Sequence, residues 1–199
     1  MREFVVVGHD APTTPEFSLD DLPGAGRLDV LCRCVTSALL LSHDIRESVQ
    51  VSLVLDGAYV VRFEGSELRH LRPDERSAAS LIRGALEARE EAVGAVEATP
   101  SPGVYVGSGG LERAVDGAGG RNELLVLHED GEPLVDLSDD PPEDVTVVLS
   151  DHRDFTDEEM ATLRDAGARR VSVSPRALHA DHAITVAHNY LDTEGFRRY

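Results

Sequence analysis

The chain has 199 residues, of which 41% are hydrophobic, and this is enough to build the core of one domain. Its apolar runs fall well short of the roughly 18 residues that a membrane span requires, which argues against an integral membrane protein. The amino-terminal apolar run 4–7 is also too short for the core of a signal peptide, so we expect a cytoplasmic protein.

The charge balance is strongly acidic, with 37 acidic residues, 19 basic residues and a net charge of −18, and every basic residue is Arg. A lysine-free acidic surface is typical of a cytoplasm with very high salt, where charge maintains solubility and screening limits self-repulsion. An acidic protein that avoids nucleic acid is the alternative. Because high salt suppresses the release of counterions on binding, the net charge does not exclude an RNA substrate.

The amino-terminal half predicts alternating strands and helices around one long loop. Gly8 ends the first apolar strand, and residues 9–26 form a polar loop, long enough to indicate a functional loop or a contact with a partner. Asp56-Gly57 predicts a tight turn between two strands, and therefore a hairpin. The predicted elements are a strand over 4–7, a helix over 27–43, strands over 49–55 and 59–63, and a helix over 73–88.

The carboxyl-terminal half begins with a stretch, 99–120, that is rich in Pro, Gly and Ser and predicts only a short helix at 111–115. The glycines of 106–110 lack the spacing of a phosphate-binding loop, so they are a weak signal. An acidic loop over 136–144 separates two later strands. The remaining predicted elements are strands over 123–127, 145–149 and 170–173, and helices over 155–167 and 179–191.

Two of these strands, near 147–149 and 171–173, stop abruptly at small and polar residues. Strands that alternate with helices predict an α/β fold, a parallel sheet with helices on both faces. Such sheets bind ligands in the crevice beyond the carboxyl ends of their strands. The sequence therefore predicts the place of a binding site before it predicts a chemistry.

Other chemistries find little support. Cys32 and Cys34 diverge by about 200° on a helix, so we expect free buried thiols rather than a disulfide or a metal site. His179 and His182 could share a helical face, but His188 lies on the other side, so a zinc site would lack a third ligand and no metal is predicted. A Gly-x-Ser-x-Gly motif is missing, and hydrolase chemistry has no positive support.

Motifs along nearly the whole chain resemble the archaeal tRNA (pseudouridine-54 N1) methyltransferase family of the SPOUT superfamily. They are the run 17–34, Leu-Ser-His within 38–46, Pro73-Asp74-Glu75-Arg76, Leu127–Gly131, Ser150-Asp151-His152 and the closing 174–183. The resemblance implies a single domain over 1–199, with a hairpin extension near 49–64 and a cofactor-binding part, about 123–199, tied in a deep trefoil knot. It also implies a homodimer, a tRNA substrate and S-adenosylmethionine as cofactor.

The family pattern assigns the cofactor site to seven residues: Leu127, Ser150, Asp151, Val173, Ser174, Leu178 and Ala183. Leu127, Leu178 and Ile184 are expected to sandwich the adenine ring. Two positions depart from the pattern, because Ser150 replaces a common Gly and Ala183 replaces a common Cys. Small residues remain at both, so cofactor binding should persist, but a catalytic thiol at position 183 is excluded.

The implied reaction is an in-line methyl transfer to N1 of pseudouridine, which gives 1-methylpseudouridine. Because N1–H is weakly acidic, a carboxylate that accepts its proton would help, and Asp56 is the candidate. Arg62 is predicted to assist catalysis and, with Arg33, to steer phosphate or hold a flipped base. Arg27, Arg33 and Arg46 are predicted to form a basic strip for RNA.

Simpler interpretations stay open for these residues: Asp56 as a turn residue and the arginines as solvated surface. Two other functions also stay open at this point. One is a SPOUT methyltransferase that acts on another RNA, such as ribosomal RNA. The other is a non-catalytic dimeric module that binds S-adenosylmethionine.

Overall fold

The structure is a computed structural model that describes residues 1–116, 122–137 and 141–199. The strands are β1 Arg2–Gly8, β2 Val49–Leu55, β3 Tyr59–Glu64, β4 Ala98–Ser101, β5 Val104–Ser108, β6 Glu123–Pro133, β7 Val145–Ser150 and β8 Arg169–Ser172. The helices are α1 Leu28–Leu39, α2 Glu75–Glu87, α3 Leu111–Asp116, α4 Asp157–Asp165 and α5 Ala180–Asp192. These strands form one sheet in the order β4-β5-β3-β2-β1-β7-β6-β8.

The part of the sheet from β2 through β1, β7 and β6 to β8 is parallel. Its central strands carry apolar side chains on both faces, and Phe4–Val7 of β1 are all buried. Strands that are apolar on both faces need a layer of helices on each side, as in other parallel sheets. The predicted α/β sheet with helices on both faces is therefore confirmed.

The other edge of the sheet is antiparallel, which confirms one expectation and corrects two others. Asp56 and Gly57 have φ angles of 46° and 65°, and Ala58 N–H donates to the Leu55 carbonyl at 3.0 Å, so the predicted tight turn is confirmed. The sheet is mixed rather than parallel throughout, because β3, β4 and β5 all pair antiparallel. The prediction of an irregular stretch from residue 99 was wrong, because strands β4 and β5 lie there.

Helices cover the sheet in two layers. One face packs against α1, α2 and α5, and the other packs against α3 and α4. Helix α1 ends at Leu39 rather than near 43, because Leu40 is extended and bridges to Ile45. Cys32 and Cys34 are both free and buried, as predicted. No helix in the described ranges is long and apolar enough to cross a membrane.

Helices α1 and α5 run side by side from the carboxyl edge of the parallel strands to their amino edge. The His188 ring packs on Phe4, and its Nε2 donates to the Ala38 carbonyl at 2.9 Å. Burial lowers the pKa of His188 to about 4, so the ring is neutral and serves as a contact between helices. At the amino edge, Asp192 at the end of α5 binds Arg2 and Arg46. This packing places the start of α5 beside the ends of β7 and β8 and the middle of β6.

Candidate active site

A pocket opens at the carboxyl ends of β7 and β8, beside the first turn of α5 and residues 127–129 of β6. These three residues lie midway along β6, which runs to Pro133 rather than ending at 127 as predicted, and they adjoin the shift in its register with β8. All seven residues that the resemblance assigned to the cofactor line it: Leu127, Ser150, Asp151, Val173, Ser174, Leu178 and Ala183. They come from the middle of β6, the ends of β7 and β8, the segment before α5, and α5 itself. The site that the sequence located by its strand ends is therefore a real concavity in the fold.

The pocket has an apolar side and a polar side. Leu127, Leu149 and Leu178 contribute apolar surface, and Leu178 is 39% exposed although it is a large hydrophobic residue. Glu129 and Ser150 belong to the polar side. Ile184, which was expected to contact the adenine ring, is fully buried in the core and is not among the pocket residues.

A charged cluster ties the β7 end of this pocket to β1 and α4. The Asp151 side chain is only 1% exposed, and its carboxylate accepts from the backbone N–H groups of His9 and Arg153 at 3.0 and 2.9 Å. The His9 ring lies between two carboxylates, with Nδ1 3.0 Å from Asp151 and Nε2 3.0 Å from Glu159. Glu159 also closes the capping box of α4 with Thr156. His9 therefore links three elements that frame the pocket.

The environment of His9 favours its charged form. Burial by itself disfavours the imidazolium, but hydrogen bonds and negative charge from Glu159 and Asp151 outweigh it, and the pKa of His9 is raised. The Asp151 carboxylate is occupied by these internal hydrogen bonds, so Asp151 contributes to the pocket by holding the loop after β7 in place. The sequence reasoning missed His9 and Glu159. The signal that located Ser150, a buried strand that stops at polar residues, is also present at Gly8-His9-Asp10.

Asp56 lies at the same edge of the sheet. Its backbone N–H donates to the Gly8 carbonyl at 2.8 Å, while the Asp151 N–H donates to the Val7 carbonyl at 3.0 Å. The ends of β2, β1 and β7 are thus bonded in a row, and two strand spacings of about 4.8 Å put roughly 10 Å between the ends of β2 and β7. Asp56 is exposed at this edge.

Arg62 does not join Asp56. It pairs with Ser52, three residues before the end of β2, which is about 10 Å back along the strand. Its guanidinium stacks 4.0 Å from the centre of the Tyr105 ring and pairs with Glu64 and Glu97. These contacts occupy it within the sheet, so the structure separates the two residues that were predicted to be catalytic.

The arginines predicted to bind RNA do not form one strip. Arg27 makes two hydrogen bonds to Asp29, at 3.0 and 3.1 Å, and Arg33 binds the same carboxylate at 2.9 Å. Together they hold the pKa of Asp29 below its ordinary value, although burial raises it. Arg46 lies past the far end of the 12-residue α1, about 18 Å along the helix axis, and pairs with Asp192. All three are engaged by carboxylates.

Within residues 1–116, 122–137 and 141–199, no group of three or more His, Cys, Asp or Glu side chains could hold a metal ion. His179 precedes α5, His182 is exposed on it, and His188 is buried against α1.

The chain is a cofactor-dependent RNA methyltransferase by class, because the family model described as "Putative SAM-dependent RNA methyltransferase" matches residues 1–196. Proteins named tRNA (pseudouridine(54)-N(1))-methyltransferase from Haloarcula marismortui and Haloferax volcanii are each 62% identical over 100% of both chains. One from Methanosarcina acetivorans is 46% identical over 96% of this chain and 91% of that protein. The chain belongs to this family of archaeal methyltransferases, as the resemblance implied.

A solved structure shares the fold. The crystal structure of Archaeoglobus fulgidus Nep1 bound to S-adenosylhomocysteine superposes with a TM-score of 0.65 at 17% identity, over 96% of each chain. The match agrees with the SPOUT-like α/β fold that the sequence predicted. The trefoil knot stays a prediction.

Proposed function

We propose that this protein transfers the methyl group of S-adenosylmethionine to N1 of pseudouridine 54 in tRNA, which gives 1-methylpseudouridine. The observation that carries the proposal is that all seven expected cofactor residues line one pocket, at the sheet edge that also holds Asp56. Relatives of the same length and up to 62% identity bear the name of this activity.

The residues of the pocket suit the cofactor. Leu127 and Leu178 offer apolar surface to the flat faces of an adenine ring, and backbone groups at the strand ends can bind its polar edge. Glu129 and Ser174 can bind the ribose hydroxyls. Ala183 is small, so it leaves room where a larger side chain would project into the pocket. When bound, S-adenosylmethionine supplies the methyl group on a positively charged sulfur.

Asp56 acts on the substrate side. Its carboxylate accepts the N1–H proton as the bond from N1 to the methyl carbon forms and the carbon–sulfur bond breaks. The proton then passes to water, so the enzyme returns to its starting state. A general base of this kind contributes roughly 10²- to 10⁴-fold to a rate. Asp56 is held for this role by the bond from its own N–H to Gly8.

The proposal includes three features that the resemblance implies: a homodimer, the knotted threading of the cofactor-binding part and action in the cytoplasm. Light scattering on the purified protein tests the first, with a mass near 43 kDa expected for two chains of 21.5 kDa. A single-chain mass would remove the dimer from the proposal.

The test of the function is mass spectrometry of nucleosides from a tRNA that carries pseudouridine 54, incubated with the protein and S-adenosylmethionine. We expect 1-methylpseudouridine at position 54. Unmodified tRNA with intact cofactor binding would move the function to another RNA. Cofactor binding without transfer to any RNA would identify a non-catalytic module.

The variant Asp56→Asn tests the role of the carboxylate. Asn tolerates the left-handed backbone at this position (φ 46°) and preserves the turn, but it cannot accept the proton. We expect kcat to fall at least about 100-fold, with unchanged affinity for S-adenosylhomocysteine and an unchanged melting temperature. A loss below about threefold would leave Asp56 as a turn residue.

A further inference from the structure

A second concave surface lies at the start of α2, on the side of the sheet that α1 and α5 also cover. This surface, the α2 groove, is lined by Arg69, His70, Arg72, Arg76, Ser77 and Ser80, among others. Four of these six side chains are basic or can become so, in a chain with a net charge of −18. Such a concentration of positive charge is unusual for this protein.

One acidic residue, Asp74, lines the groove and a second, Glu75, follows it in the chain; both have partners. Asp74 caps α2, where its carboxylate accepts from the Ser77 N–H at 2.8 Å. Glu75 binds Arg33 at 3.0 Å. Arg76 is the basic residue that is neutralised, by Asp20. With Asp74 occupied as the helix cap and Arg76 paired, the arginines of the groove that stay available are Arg69 and Arg72.

Arg69 and Arg72 are both exposed, and neither has a carboxylate partner in the described parts of the chain. This distinguishes them from Arg27, Arg33 and Arg46, which carboxylates occupy. At the high salt that the composition predicts, the Debye length shrinks to about 3 Å, so only direct contacts contribute to anion binding. A free guanidinium fork can make such contacts, whereas one already paired must first give up its partner.

The loop that carries these arginines is ordered before any ligand arrives. The Ser77 hydroxyl accepts from the Arg72 backbone N–H at 3.0 Å and donates to the His70 carbonyl at 3.3 Å. Leu71, between them, is only 8% exposed and anchors the loop in the core. A preordered loop loses less conformational entropy on binding.

The groove adjoins the cofactor pocket through Arg33. Its Nη1 lies 3.0 Å from Glu75, the neighbour of Arg76, and its Nε lies 3.7 Å from Asp181, the neighbour of the pocket residue Ala180. Arg33 therefore connects the start of α2, where the groove lies, to the start of α5, where the pocket lies.

We propose that the α2 groove binds the phosphate backbone of the RNA substrate, with Arg69 and Arg72 as direct phosphate ligands. The proposal rests on the function proposed above and names the surface that positions the RNA. Contacts to phosphate set the orientation of a nucleic acid without reading its bases, and forked guanidinium groups suit that role.

The test compares two double variants. Arg69→Ala/Arg72→Ala removes the proposed ligands. Arg164→Ala/Arg170→Ala is the matched control, because it removes two exposed arginines that also have no carboxylate partner in the described ranges, on the face covered by α4. Binding of fluorescently labelled tRNA is measured by anisotropy across a series of KCl concentrations. Calorimetry with S-adenosylhomocysteine checks the pocket of each variant.

We expect the Arg69/Arg72 variant to bind tRNA at least tenfold more weakly at low salt, and the slope of log K against log[KCl] to fall by about two. Its affinity for S-adenosylhomocysteine should not change, and the control should match the wild type. Equal losses of tRNA affinity in both variants would show an effect of net charge alone and would overturn the proposal. Unchanged tRNA binding by the Arg69/Arg72 variant would overturn it as well. If the wild type binds but methylates no tRNA, the proposed function fails, while the binding comparison still decides the groove.

Discussion

His9 supports the strongest prediction about how the cofactor pocket is held. Its ring makes two hydrogen bonds of 3.0 Å to the carboxylates of Asp151 and Glu159 and is 11% exposed. Hydrogen bonds to charged groups are each worth about 1.5–3 kcal/mol. Since Glu159 is 21% exposed and Asp151 keeps its backbone donors, we take the lower value. His9→Ala should therefore cost about 3 kcal/mol, which lowers the melting temperature by roughly 6–12 °C at this chain length.

The effect should depend on pH. Because the pKa of His9 is raised in the folded state, its charge stabilises the fold fully below the ordinary value near 6.5. That contribution is lost as the pH rises through the raised pKa. His9→Gln keeps one neutral donor, so it should recover part of the stability without the pH dependence. The free-energy difference between wild type and His9→Gln should shrink between pH 6 and pH 9.

The assay is denaturant unfolding at both pH values, together with calorimetric titration of S-adenosylhomocysteine. The affinity of His9→Ala should fall about tenfold, because the loop with Ser150 and Asp151 loses the His9 ring, which joins it to α4, and keeps only backbone bonds to the β1 segment. His43→Gln is the matched control, since His43 is exposed. A stability loss in His9→Gln that is equal at pH 6 and pH 9 would refute a charged His9. Unchanged cofactor affinity in His9→Ala would refute its role in the pocket.

Two further substitutions separate pocket from scaffold. Ala183→Leu should abolish calorimetric binding of S-adenosylhomocysteine, because the larger side chain fills the pocket. The control Thr185→Leu, on the exposed side of α5, should bind as the wild type does. Binding by Ala183→Leu within threefold of the wild type would show that the cofactor does not approach this helix. Arg33→Ala leaves Asp29, which is 5% exposed, with one arginine, so urea unfolding should show a loss of about 1–3 kcal/mol. If Arg33→Ala instead weakened tRNA binding with unchanged stability, the direct RNA role predicted from sequence would be restored.

The pattern of residues determined much of the fold. Apolar runs that end at small or polar residues located β1, β7 and β8, and Asp56-Gly57 fixed a hairpin, because both signals are local properties of the backbone. The same local reasoning missed β4 and β5. Val104 and Val106 form a strand only because β3 presents an unpaired edge to them. Pairing of that kind depends on a partner distant in sequence.

The candidate site divides in the same way. The sequence by itself located Ser150 and Val173 at strand ends, and the ordered motifs named seven residues for the cofactor, all of which line one pocket. Only the tertiary structure decided which charges are free. From the sequence alone, Arg62 and Arg33 are candidates to bind the RNA substrate. In the structure, each pairs with carboxylates that lie up to about 150 residues away along the chain. His9 was overlooked because the two carboxylates that bind its ring, Asp151 and Glu159, are also distant along the chain. Ion pairs form through space, so their partners are fixed only when the sheet and its helices are assembled.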